Sequence, residues 1–118
     1  MTNEQKKVQK PMKTRCYYTD YVNHAIRFYL SCPDKIQTAG KRQADILNWM
    51  AAQAVFYRLT DEEKQVLTEV YTAHHRLPEG VRIYCIKMGY KERGAEWHKL
   101  WALITKVVQA VAKKRGLI

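Results

Sequence analysis

Five stretches of the chain repeat apolar residues three and four apart, and only one of them also fits the two-residue alternation of a strand. That periodicity commits the chain to helices packed on helices. The clearest stretch is "LTDEEKQVLTEVYTAHH", residues 59–75. Thr60 and Glu63 have the spacing of a capping box, in which each side chain satisfies a backbone N–H that the first helical turn leaves unpaired. Asp61, Glu62 and Glu63 stand where the helix dipole favours acids, and Val66, Leu67, Val70 and Tyr71 form the stripe to be buried. "RLPEG" ends the helix. Upstream, "TDYVNHAIRFYL" predicts a helix capped by Thr19 or Asp20 and broken by Pro33 and Gly40. Residues 42–58 predict a second helix, apolar around much of its girth through Ile46, Leu47, Trp49, Met50, Ala54, Phe56 and Tyr57, and therefore expected at the centre of the core.

The ambiguous stretch is residues 79–88, "EGVRIYCIKM". A helix closed by Gly89 is favoured, but Val81, Ile83 and Cys85 also alternate with Arg82 and Tyr84 as a short strand would. A long final helix is predicted over 93–115, with Trp97, Leu100, Trp101, Ile104, Val107, Val108 and Val111 on its apolar side and Lys113, Lys114 and Arg115 at the end where cations suit the dipole. The expected fold is all-α: about five helices in a single domain over 17–118, preceded by a flexible basic arm at 1–16.

Charge sorts the chain into three parts. Residues 1–15 hold five basic residues and one acid, a net +4; residues 16–80 hold seven and eight, a net −1; residues 81–118 hold nine and two, a net +7. Basic ends flanking a neutral middle imply a polyanion as partner, the more so because the second basic block lies within a helical pattern. The alternative is that the lysines serve solubility. No apolar run approaches a membrane span, and the basic N-terminus lacks the apolar segment of a secretory signal, so a cytoplasmic protein with no membrane partner is expected.

Chemistry-bearing patterns are sparse. Cys16, Cys32 and Cys85 have no paired spacing, and reduced thiols are expected. His74 and His75 adjoin at a helix end and point apart, and His98 with Cys85 makes two ligands without a third, so no metal and no cofactor is expected. Without a glycine-rich phosphate loop, HExxH or a nucleophile elbow, the sequence does not read as an enzyme. Tyr17, Tyr18 and Tyr21 lie beside the basic arm; they can stack on unpaired bases or cover the core edge or a dimer surface.

The strongest arrangement surrounds Gly89. A short helix, a glycine-bearing turn and a second helix rich in basic residues are the parts of a helix-turn-helix, expected at about 79–115. A plain helical hairpin is the other reading. Arg82, Lys87, Lys91, Arg93, Lys99 and Lys106 are the candidate DNA-contacting residues, with Lys91, Glu92, Arg93 and Glu96 heading the second helix. Lys6, Lys7, Lys10, Lys13 and Arg15 of the arm are candidates for phosphate or minor-groove contacts. Gly94, in the first turn of that helix, would weaken it by up to about 1 kcal/mol relative to alanine.

The pattern "LTDEEKQVLTEVY", then "VRIYCIKMGY", then a basic helix ending "VAKKRGLI" resembles the phage late-gene transcriptional regulators of the RinA and ArpU type, which are similar to the DNA-binding region 4 of sigma factors. The resemblance covers about half the chain, from residue 59 on, and the turn "KERGAEW" departs from the serine- and threonine-bearing turn of that family. It implies a phage- or prophage-encoded regulator that binds double-stranded DNA, with RNA polymerase or another host protein as a further partner. A homodimer is compatible through the Trp and Tyr content, which can close a two-fold interface. The rival class is a small helical protein-binding module whose positive charge meets an acidic surface.

Overall fold

A computed structural model describes residues 17–34 and 42–118. The basic arm expected over 1–16, with its five candidate contacts, lies outside the described residues. Within them the chain forms five helices and no strand: α1 (Thr19–Ser31), α2 (Gln43–Phe56), α3 (Asp61–Ala73), α4 (Leu77–Met88) and α5 (Ala95–Lys114). The all-α expectation holds, and residues 79–88 form helix rather than strand.

The helix ends explain themselves locally. The capping box of α3 is formed, with the Glu63 amide donating to Thr60 Oγ1 at 3.1 Å and the Thr60 amide to Glu63 Oε1 at 3.0 Å. Gly89 closes α4 in the left-handed region, φ 74°, and the Tyr90 amide reaches back to the Cys85 carbonyl at 2.8 Å. α4 starts at Leu77, earlier than expected, because Pro78 is tolerated in a first turn whose N–H groups have no helical partner. Two expectations are corrected. Neither Thr19 nor Asp20 caps α1; Tyr18 holds that position in a helical conformation without a side-chain cap. Gly94 is not inside α5. It is the N-cap residue, with extended backbone (φ −84°, ψ −174°), a position where glycine is well accepted.

α1 packs along α2 and α3 along α4, and α5 crosses both pairs. The core between them is made by Val22 and Ile26 of α1, Phe56 of α2, Leu67, Val70 and Tyr71 of α3, Val81 of α4, and Ile104, Val107 and Val111 of α5. Each such side chain contributes about 1.5–3 kcal/mol on burial. Gly80 lets α4 approach α3, since a Cβ there would stand 2.2 Å from the Val70 carbonyl oxygen.

Polar ties fix the ends of the helices to one another. Buried Asn48 of α2 donates to the Tyr21 hydroxyl of α1 at 3.0 Å, and Arg115, at the end of α5, donates to both Asn48 Oδ1 and the Tyr21 oxygen. These bonds, first from Asn48 and then from Arg115, hold the Tyr21 phenol below its ordinary pKa. The Tyr17 hydroxyl donates to the Leu117 carbonyl at 2.7 Å. Trp49 Nε1 donates to the Cys32 carbonyl at 2.9 Å, joining α2 to the end of α1.

α2 departs from its expected role. Trp49, Ala51, Ala52, Val55 and Phe56 are buried, but Leu47, Met50 and Tyr57 remain 41%, 53% and 82% exposed. Its apolar girth divides into a core face and an uncovered one.

Candidate nucleic-acid interface

α5 carries four lysines, more basic residues than any other described helix. Positions 95, 99, 102, 106, 109 and 113 recur on the side of this helix away from the core, and all six are exposed. They read Ala95, Lys99, Ala102, Lys106, Gln109 and Lys113. The stripe has no acid, and its lysines follow at seven-residue intervals, about 10.5 Å along the axis for each. Lys99 leans toward Glu96 at 3.8 Å, a loose exposed pair. Lys106 and Lys113 have no side-chain partner among the described residues.

Ahead of α5 lies a six-residue connection, Gly89–Gly94. This is longer than the three- to four-residue turn of a helix-turn-helix. A turn closed by the Gly94 amide on the Lys91 carbonyl, 2.9 Å, occupies its second half. Lys91, Glu92 and Arg93 therefore precede the helix instead of heading it, a correction to the expected placement. All three are exposed, and Arg93 sits at φ 62°, in the left-handed region that an arginine rarely adopts. No side-chain oxygen caps α5, and the acid Glu96 stands in its first turn.

The six candidates do not share one face. Lys99 and Lys106 lie on the α5 stripe, and Lys91 and Arg93 stand in the connection before it. Arg82 and Lys87 belong to α4, five positions and about 140° apart around the helix. Arg82 pairs with Glu79 at 3.4 Å and lines a cleft against Trp97 and Trp101. Lys87 reaches across to Glu69 of α3, Nζ to Oε1 2.6 Å, and this bond raises its pKa. Its charge is matched within the domain, which sets it apart from the α5 lysines. Lys113, expected only as a cation at the helix end, shares the stripe with Lys99 and Lys106. The signal was present in the seven-residue spacing Lys99, Lys106, Lys113.

The aromatic candidates divide as well. Trp97 and Trp101 meet edge to face, centroids 6.3 Å apart, at the half-buried margin of the core, while Leu100 is the fully buried member of that turn. Tyr18 belongs to the core, Tyr21 to the Asn48–Arg115 cluster, and Tyr17 is exposed. The three tyrosines do not form a stacking platform. His74 and His75, expected to point apart, instead stack with centroids 4.4 Å apart, because His74 already lies beyond α3 in extended backbone; no group of three or more His, Cys, Asp or Glu among the described residues is arranged to hold a metal ion. Cys32 and Cys85 are free thiols, and burial pushes the Cys85 thiol up. No described helix is long and apolar enough to cross a membrane. No family model, curated protein or solved structure matches the chain.

Proposed function

We propose that the protein binds double-stranded DNA as a transcriptional regulator of phage or prophage origin, with α5 and the connection before it as the contact surface. The observation that carries this reading is the acid-free lysine stripe of α5, Lys99, Lys106 and Lys113. Three cations at one interval on a rigid rod suit a regular array of phosphates and suit no small ligand. Lys91 and Arg93 add two exposed cations in the connection before the helix, with the acid Glu92 between them and Glu96 in the first turn of α5. A backbone strain retained at an exposed arginine is the kind found at functional positions. The rise over the lysines is about 21 Å, enough to follow several phosphates.

The test is binding to random-sequence duplex as salt is raised. Removing one lysine–phosphate pair should make the log–log slope shallower by about 0.9, so the triple variant K99E/K106E/K113E should reduce both affinity and slope strongly. The triple reversal R42E/R58E/K64E, which lies off α5 and changes the net charge by the same amount, is the control. Equal reductions in the two variants, or no duplex binding by the native chain at low salt, would reject the surface.

A second reading has its own observation, the uncovered Leu47, Met50 and Tyr57 on and beside α2. An exposed apolar surface of this kind supports engagement of a protein, whether a second copy or a host factor. It is compatible with the first reading, since the two surfaces lie on different helices.

A further inference from the structure

A cleft of about 960 Å³ lies where α1, the α3–α4 turn and α5 meet. It opens on the flank of α5 and not on the lysine stripe: Thr105 lines it, and Lys106, the next residue, stands about 100° further round the helix. Its walls are of two kinds. Leu77, Ile104 and Val108 are buried apolar surface, joined by the half-buried Trp101. Arg27 of α1 and Arg76 of the turn bring two permanent positive charges, with His24 and His75 beside them, and Asp20 is the one acid in the lining.

Arg27 is held in place. It donates to the Tyr71 carbonyl through Nη1 and lies over the Tyr71 ring at 5.3 Å. A guanidinium has five N–H donors, so this anchoring leaves others for a ligand. Arg76 is exposed and its side chain has no partner among the described residues. The volume falls in the range of pockets that take small organic molecules, which combine apolar walls with a few charged groups that orient the ligand.

We propose that this cleft binds a small amphipathic organic acid, its hydrocarbon against Leu77, Trp101, Ile104 and Val108 and its anionic group on Arg27 and Arg76. An amphipathic acid uses both kinds of wall at once, which neither a bare anion nor an alcohol does. The inference does not rest on DNA binding, and its test needs no DNA.

The full chain would be titrated by calorimetry with octanoate, octyl phosphate, 1-octanol and inorganic phosphate, each below its aggregation limit. One saturable site is expected for the two octyl acids, with the alcohol and the bare phosphate at least about tenfold weaker. The order of octanoate and octyl phosphate identifies the preferred acid group. Arg76→Ala should weaken the octyl acids about tenfold and leave the alcohol unchanged. Thr105→Trp, on the rim, should block both acids by filling the cleft. Thermal unfolding of each variant verifies that it is folded. The proposal is overturned if no octyl acid binds, if alcohol or inorganic phosphate matches the acids, or if either variant binds them like the native chain.

Discussion

Arg93 holds a conformation that costs an L-residue roughly 1–2 kcal/mol, and a glycine in its place would relieve that cost while enlarging the freedom of the unfolded chain. Arg93→Gly should therefore stabilise the fold by about 0.5–1 kcal/mol, read from the midpoint of urea unfolding. On the DNA reading the same variant binds duplex more weakly, with a salt slope shallower by about one unit. A stabilised variant of undiminished affinity would remove Arg93 from the contact set. Tyr71 offers a second residue-scale test. Its hydroxyl donates to Asn23 Oδ1 at 2.7 Å, and burial pushes its pKa up, far above the ordinary tyrosine value of about 10. The folded state therefore keeps its proton where the unfolded state gives it up. The stability this contributes is complete below about pH 10 and is lost as pH rises beyond it, at up to about 1.4 kcal/mol per unit. The native chain should lose urea resistance between about pH 10 and 11 more steeply than Tyr71→Phe. Parallel declines would contradict the assignment. Neither property is legible in the sequence. The sign of φ at Arg93 depends on how the connection must turn to bring α5 onto the core, and Tyr71 shows only as one apolar position among four.

The helices themselves are legible, because an amphipathic period and its stop signals are local. The capping box, the glycine stop at 89 and the helical state of residues 79–88 all follow from neighbours within about four positions. Features that depend on a second element are not. Lys87 looks like a free cation in the sequence, but its partner Glu69 lies eighteen positions away on α3. α2 looks central because it is apolar all round, and periodicity cannot say which of two apolar faces a neighbour will cover. Gly94 looks like a weakness in a helix that in fact begins one residue later. Gly80 reads as part of a stop signal, whereas it is the point of contact between α3 and α4. Gly80→Ala should destabilise the domain by about 1–3 kcal/mol, since the new methyl meets a backbone carbonyl that cannot turn aside. Chemical denaturation measures this directly. A change below about 0.5 kcal/mol would mean that α3 and α4 can slide apart at little cost.

Two helix pairs strapped by a fifth make a molecule in which the last helix does most of the long-range joining. The lysine stripe of that helix is already legible in the seven-residue spacing of Lys99, Lys106 and Lys113, whereas the cleft on its flank emerges only when α1 and the α3–α4 turn dock against it. The bond between Tyr17 and Leu117 carries a topological consequence. Tyr17 and Leu117, near the two ends of the described residues, meet, so the order of elements is one choice among several. Joining residue 118 to residue 1 turns the first sixteen residues into a linker between two points already in contact, and the ring can be reopened between Lys91 and Glu92. Such a circular permutant should keep its helical content and unfold in one cooperative step, because the cut falls in an exposed turn. Its α5 would then no longer follow α4 in the chain while still lying beside it. Retained salt-dependent duplex binding would locate recognition in the helix itself, and its disappearance with the fold intact would locate it in the continuity of the turn.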